Sequence, residues 1–519
     1  MTERYDAIVI GAGHNGLVCA ASLARSGLQV LLCEASPTAG GMAAERRFGA
    51  DSSYRVPGVA HLSYPLAPEL RDELDLDGSG YSPAAAVDTI ALSPDTGPLV
   101  IGRDSLSGRP PDDAADVAAY PAFRQQLRDF SAALAPLFDS APPRLKNLAR
   151  GDRLTLARLG WRLRFGLGRD AMYEFLRIAG MNVYDVLDEA FADEALKGVM
   201  AFDAVIGSAM GPRTPGTVLT WLQRLHGERN GPLAPANGTL VAALERSARA
   251  AGVTLRCNCR VGRIIVTNGR AAGVMLDGDE EIKAGLVVSA VDPRVTFRQL
   301  VGAPRLDAMF ARRVAQIRGT GVVGKLHLGL RGLPKFKGVE ADRLRHRLVA
   351  APSMRYVERA FNASKYGEYS ERPALEITLP SIADPTLAPA GHHVMSINVA
   401  YLPHTIKGGW ERHAPKLISS VLAELEKLAP GIETLVVERD FLSPADIERE
   451  YGAALGHWHH GELTMHQSFM LRPVYGAAQY DTPVEQLYLC SAGCHPGGGL
   501  TGLPGRNAAM RILGSGKPA

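Results

Sequence analysis

The 519 residues are 46% hydrophobic and 21% charged, with 57 Lys and Arg against 54 Asp and Glu and a formal net charge of +3. Such a chain is long and apolar enough for two or three packed domains, which excludes a disordered polypeptide, and its charge is too mild for nucleic acid to be the main partner. Six cysteines, at 19, 33, 257, 259, 490 and 494, are scattered like reduced thiols and do not have the spacing of a secreted disulfide framework.

The first predicted elements lie in YDAIVIGAGHNGLVCAASLARSGLQVLLCE, residues 5–34. The apolar run Ala7 to Ile10 predicts a strand and Gly11 to Gly16 a turn. The Ala/Leu-rich segment to Ser26 predicts a helix, and Val30 to Cys33 a parallel strand ending at Glu34. Gly11 permits the tight turn, Gly13 lets the backbone approach a pyrophosphate, and Gly16 lets the helix pack closely on the strand. His14 and Asn15 open the helix, whose positive end would meet the phosphates. Glu34, followed by Ala35, stands roughly 20 residues beyond the turn, where an acidic side chain accepts hydrogen bonds from an adenosine ribose and repels a 2′-phosphate. The pattern predicts dinucleotide binding and disfavours NADP. In EASPTAGGMAAERR, which follows, Gly40 and Gly41 precede Met42, Arg46 and Arg47. This resembles the second glycine motif of the glutathione-reductase and amine-oxidase flavoproteins. The resemblance makes FAD the expected cofactor, with Gly11, Gly13, His14, Asn15, Gly16, Glu34, Ala35, Gly40, Gly41, Met42 and Arg46 as binding residues.

Further along, RLKNLARGDRLTLARLGWRLRFGLGR carries Arg144, Lys146, Arg150, Arg153, Arg158, Arg162, Arg164 and Arg169 against one acid, Asp152. Leu159, Trp161, Leu163, Phe165 and Leu167 alternate with Gly160, Arg162, Arg164 and Gly166, which fits a strand as well as an irregular helix. The segment 144–169 reads as a solvated basic face, as a subunit contact, or as a patch resting on anionic lipid at the membrane periphery. LAPANGTLVAALERSARAAG predicts a turn at Pro235-Ala236-Asn237-Gly238 and then a helix, and residues 252–293 read as β-branched runs separated by Asn268-Gly269, Asp277-Gly278 and Gly285. His457, His459, His460 and His466 have no carboxylate or cysteine at a recognised ligand spacing, so no metal is expected there. The strand LYLCSAG runs into CHPGGGLTGLPGRNAAMRIL, a glycine-rich loop that opens a helix. A second glycine fingerprint for NAD(P)H is missing. Only Met1 to Arg4 precede the first strand, so no cleaved leader is expected, and no run approaches the roughly 18 apolar residues of a membrane span.

The first motif, GHWHHGELTMHQSFMLRP and the closing segment together resemble the phytoene-desaturase-like FAD oxidoreductases, a superfamily that also holds carotenoid isomerases and amine oxidases. Within it they look like the branch of pyridine nucleotide-disulphide oxidoreductase domain-containing protein 2. The resemblance implies an α/β fold: a glutathione-reductase-type Rossmann FAD-binding domain (1–75, 231–299, 481–519) interleaved with an α+β cap domain (76–230, 300–480). It places Val261, Gly493, Gly502, Leu503 and Asn507 at the cofactor and makes His495, Arg506, His61 and His460 the catalytic candidates, with Ser63 and Gln467 beside them. A histidine could take a proton at neutral pH, and Arg506 could hold a carboxylate or negative charge on the flavin ring; equally, both could only bond the loop and the cofactor phosphates.

This chain departs from the family at Asn237, in the usual Pro-x-Gly-Gly turn, and at Ser491, where a glycine is expected. The branch name suggests a redox disulfide, yet there is no early CxxC or CxxxxC pair. Cys257 and Cys259 on one predicted strand would face the same way about 7 Å apart, too far for easy bridging, and Cys490 and Cys494 could approach each other around the final loop.

The implied activity is removal of a hydride from a C–H bond of an apolar small molecule, as in a desaturase, dehydrogenase or double-bond isomerase, with electrons leaving to oxygen, a quinone or another carrier. A flavin amine oxidase and a flavin-containing regulatory protein are the alternatives. The expected location is cytoplasmic, or the mitochondrial matrix in a eukaryote, and a homo-oligomer is allowed.

Overall fold

A computed structural model describes residues 4–109, 114–144, 146, 148–236 and 238–514; Asn237 of the expected turn lies outside the described residues. Ala7 to Ile10 and Val30 to Cys33 are buried along their whole length, which suits central parallel strands covered on both faces. They form the strands Arg4–Ile10 and Val30–Cys33, paired in parallel with Ala7 opposite Val30. The sheet runs in the order 254–256, 30–33, 4–10, 281–289, 270–276, 261–267, and Leu487–Leu489 also pairs in parallel with Glu281–Ser289. The expected hairpin closes at Asn268 and Gly269, both at positive φ (50° and 79°), as a two-residue turn between twisted strands requires. Helices His14–Arg25, Thr239–Ala250 and Leu503–Gly514 cover this sheet and share its apolar core. That core runs past the expected segment boundaries: Phe310, Val314 and Ile317 pack into it from one side of the cap, and Val474, Ala477 and Tyr480 from the other.

The second sheet has eight strands in the order 436–442, 323–330, 393–400, 375–378, 347–350, 89–91, 99–101, 106–108. Alternation divides its faces. From Val323–Leu330, the side chains Leu326, Leu328 and Leu330 pack with Leu417, Val421 and Leu425 of the helix Trp410–Leu428, whereas Lys325 and His327 alternate with them. A third apolar cluster is built by helices, including Phe130, Phe202, Trp221 and Met354.

The segment left open between strand and helix is helical: Arg150–Trp161 continues through one wider turn, Arg162–Gly166, and after a break at Gly168 (φ 80°) a separate helix runs Arg169–Ile178. Leu159, Leu163 and Leu167 lie on its inner side against the helical core. Among the described residues no helix is long and apolar enough to cross a membrane.

Candidate cofactor and substrate site

The glycine turn is arranged around an open space. Gly11 has φ 95°, and a Cβ at Gly16 would overlap the Gly11 carbonyl oxygen, so both glycines are needed for the turn and for helix packing. Gly13 differs: its φ of −65° suits any residue, yet a Cβ there would find nothing within 4 Å. The second glycine pair closes on it, with Gly40 N–H donating to Ala12 O (2.8 Å) and a Cβ on Gly41 falling 3.3 Å from Gly13 Cα. Asn15 is buried at the helix start with its side-chain oxygen unpartnered.

Glu34 accepts from Ala12 N–H (2.7 Å) and Ser36 N–H (2.9 Å), which fixes its carboxylate beside the turn, and Ala35 lies between these partners. Cys259 N–H reaches the Glu34 carbonyl (2.8 Å), bringing the start of Val261–Thr267 to the same end of the sheet. The Met42 carbonyl accepts from Val59 and Ala60 (2.9 Å each) and ties the loop before His61 to the glycine pair. A helix N-terminus with an unfilled glycine position, an unpartnered buried amide and a fixed acid fits the pyrophosphate and ribose of a dinucleotide.

The last segment meets this site through Gly493, where a Cβ would lie 3.2 Å from His460 Cβ, and through Gly502 (φ 70°), which sits against Leu70 and Val18 next to the buried Leu503. Ser491 is buried, and its hydroxyl accepts from Gly493 N–H (3.1 Å).

Three of the expected residues are engaged with other side chains. Arg46, expected at the cofactor phosphates, is held by Asp440 (2.6 and 2.9 Å) and Glu450 (2.6 Å), so its charge binds the cap to the FAD-binding domain. Arg506, expected beside a substrate, makes a two-pronged ion pair with Glu73 (2.7 and 2.5 Å) on the helix Pro68–Leu74. Asn507 donates to Tyr480 Oη (3.1 Å), and Tyr480 donates to the His495 carbonyl (2.9 Å), which makes Asn507 a support for the final loop. Each of these polar side chains found a nearer partner that is distant in sequence.

The cysteines also pair differently. Asn258 has φ 51° and the strand ends at Arg256, so Cys257 and Cys259 do not share a strand face; all six are free thiols, with Cys33 hydrogen-bonded to Cys259 and Cys490 to Cys19.

His495 is buried, its Nε2–H donating to the Leu137 carbonyl (2.5 Å) and its Nδ1 unpartnered. Burial, more than any neighbouring charge, lowers its pKa to about 4, and burial does the same to His460 and to His14, which face each other. Gln467, expected above the flavin, instead brackets a loop, donating to Arg318 O (3.0 Å) and Glu462 O (3.3 Å).

Sequence reasoning missed Arg472, whose buried guanidinium donates to the carbonyls of His459 (2.7 Å), Glu462 (2.7 Å) and Ala492 (2.9 Å) and so locks the histidine loop to the final glycine loop. His14, His460 and His495 carry an expected consequence. An unfolded histidine titrates near 6.5, so between that pH and about 4 the unfolded chain takes up protons that the native chain refuses, and stability falls as pH falls through the window. The urea midpoint should drop between about pH 7 and pH 5; an unchanged midpoint would contradict the burial of these rings.

Across the domain boundary lies the largest set of residues that sequence did not reveal. Lys325 is fully buried, donating to His61 Nδ1 (2.6 Å) and Asn398 Oδ1 (2.9 Å). Asn398 donates to Glu376 (2.7 Å), which accepts from Arg347 (2.7 Å); Arg347 in turn reaches Asp203 (2.6 Å). Burial depresses Lys325 to about 7, only partly opposed by Glu376, and it holds His61 neutral. His61 therefore does belong to a buried polar network, whereas Ser63 pairs by its backbone with Ala234. The available signal was Lys325, alternating with His327 between the leucines of VVGKLHLGL.

A Rossmann sheet whose glycine turn fits a dinucleotide, joined to an eight-stranded second sheet, is the architecture of an FAD-dependent oxidoreductase. The chain belongs to the flavin containing amine oxidoreductase family, which matches residues 16–513. It is 32% identical over 547 residues to the rat pyridine nucleotide-disulfide oxidoreductase domain-containing protein 2, covering 99% of this chain and 94% of that one. It is 29% identical over 287 residues to a lycopene-forming phytoene desaturase of Paracoccus, over 54% of each chain. Among solved structures, wild-type putrescine oxidase bound to putrescine superposes with a TM-score of 0.62 at 17% identity, over 99% of each chain, which is a likeness of fold.

Proposed function

We propose that this protein removes a hydride from a C–H bond of an apolar small molecule, forming or moving a double bond. Bound FAD supplies the electron-accepting chemistry that the side chains lack. The observation that carries the reading is the aromatic wall beside His495: the Phe469 ring lies 6.0 Å from His495 and stacks on Phe138 at 5.9 Å, and both phenylalanines pack with the helical core. Apolar packing of this kind beside the final loop offers no charge to a polar substrate. The acids around it are already engaged, Asp139 by His226 (2.5 Å) and Arg229 (2.9 Å) and Glu462 by Ala209 N–H (2.9 Å). The desaturase relative supports the same class of substrate.

Lys325 is the residue proposed to accept the proton released when the neighbouring carbon becomes sp². With a pKa of about 7, roughly half of the amines carry a free lone pair at neutral pH, while His61 and Asn398 hold Nζ in place. Electrons then pass to oxygen, a quinone or another carrier, since the single fingerprint is taken by FAD.

Anaerobic mixing with polyenes, fatty acids, amines, NADH and NADPH tests the reading. Bleaching of the flavin by an apolar hydrocarbon donor, with none by NADH or NADPH at a comparable rate, is the expected result. Bleaching by amines alone would make the protein an amine oxidase, and bleaching by no donor would favour a regulatory flavoprotein.

A further inference from the structure

The outer side of the helix Arg150–Trp161 and its continuation presents large apolar side chains to solvent. Leu154, Trp161 and Phe165 stand at intervals of seven and four residues and so share a ridge; Trp161 and Phe165 rings are 4.5 Å apart. They are 51%, 66% and 60% exposed, and Tyr173 and Leu176 on the next helix are 57% and 62% exposed. A stable monomer gains nothing from leaving tryptophan and phenylalanine side by side in water.

The ridge is flanked by cations. Arg150, Arg153, Arg158, Arg162, Arg164 and Arg169 are exposed. Among the described residues none of the six is in an ion pair, whereas nearby Arg144 reaches Asp481 (3.6 Å) and Arg177 reaches Glu174 (2.7 Å). The one acid inside the helix, Asp152, turns inward, accepting from Ala149 N–H (2.9 Å) and Gln479 (3.1 Å). Arg164 lies over Phe165 (5.3 Å) and Arg169 over Tyr173 (5.8 Å), so the cations sit at the margin of the apolar strip.

We infer that this ridge, with its flanking arginines, docks on a bilayer surface that carries anionic headgroups. An in-plane helix of this type sinks its aromatic strip to the acyl boundary while arginine stems extend to the phosphates. Charge complementarity selects the lipid over a second copy, because a two-fold contact of this face would set arginines against arginines. The helix is also close to the reaction centre. It packs on Ala135–Phe138, whose Leu137 carbonyl holds His495 and whose Phe138 forms the aromatic wall. Docking there brings the membrane within one helix of the flavin loop, a short path for a substrate that water does not dissolve. The docking surface goes beyond the proposed reaction and stands on the exposed ridge and its arginines; only the short substrate path rests on that reading.

Flotation of the FAD-loaded, full-length protein with phosphatidylcholine vesicles, with and without phosphatidylglycerol, tests it. The protein should float with the anionic vesicles, less so at high salt. Trp161→Ser with Phe165→Ser should lower the partition coefficient at least about tenfold with flavin content unchanged. Arg158→Gln with Arg162→Gln and Arg164→Gln should bring anionic binding down to the phosphatidylcholine level. Because the substituted side chains are exposed, folding is checked by flavin content, and brominated lipid gives an independent readout: it should quench tryptophan emission in the wild type and much less in Trp161→Phe. Failure to float, equal binding to both vesicles, or full binding by the Trp161/Phe165 variant would overturn the inference. So would a dimer that the same variant dissociates while no vesicle is bound.

Discussion

Gly13→Val is expected to give a folded protein that no longer holds FAD. The backbone at Gly13, with φ −65° and ψ 169°, is open to a branched residue, and a Cβ there meets no protein atom within 4 Å. The polypeptide thus does not itself need a glycine at this position; a pyrophosphate approaching the helix start would. A valine methyl in that path should reduce flavin occupancy at least about tenfold, the equivalent of about 1.4 kcal/mol or more in binding. Gly16→Val supplies the contrast, since its side chain would overlap the Gly11 carbonyl and cost several kcal/mol of stability. Visible flavin absorbance per folded protein separates the two: a Gly13→Val protein with full flavin would disprove this placement of the phosphates.

Lys325→Met should retain FAD and slow its reduction by a productive donor about 100-fold or more, the scale of a lost proton acceptor. In the wild type the reduction rate should rise with pH up to about 7 and then level, as Lys325 loses its proton, and the variant should lack that limb. A second, activity-free readout follows from linkage. The folded pKa of about 7 lies below the unfolded value of 10.5, so between those values the unfolded chain binds a proton that the native chain does not. Stability contributed at this site therefore rises with pH across the window, by an amount on the order of a few kcal/mol. Methionine leaves His61 and Asn398 short of a donor at every pH, so the variant is offset but loses the slope. Urea unfolding at about pH 6 and pH 9 should show the wild type gaining on the variant as pH rises; parallel profiles would mean that Lys325 is not the buried titrating group. A normal reduction rate with the slope removed would leave the burial intact and move the proton to another acceptor.

What the sequence determined by itself is the local part of the molecule. The glycine turn, its flanking strand and helix, Glu34, the hairpin at Asn268 and Gly269 and the glycine loop before Leu503 all follow from the conformations that neighbouring residues permit, and chain order carries that logic into space. Residues that must bind across the sequence were not legible in this way. Arg46 and Arg506 read from sequence as phosphate and substrate ligands, and an arginine near a glycine motif carries no sequence record of the ion pairs to Asp440 and Glu73, several hundred residues away. Residues 159–167 alternate in a way that fits a strand as well as an irregular helix, and only packing of Leu159, Leu163 and Leu167 against the helical core decided for the helix and turned Trp161 and Phe165 outward. Nothing in the sequence reading singled out Lys325. Its depressed pKa comes from the tertiary closure that places it under His61 and beside Asn398, where water cannot solvate the charge. Backbone geometry is set by near neighbours and can be read along a chain, whereas the environment of a charge is set by whatever folds over it, and here the cap sheet made that decision.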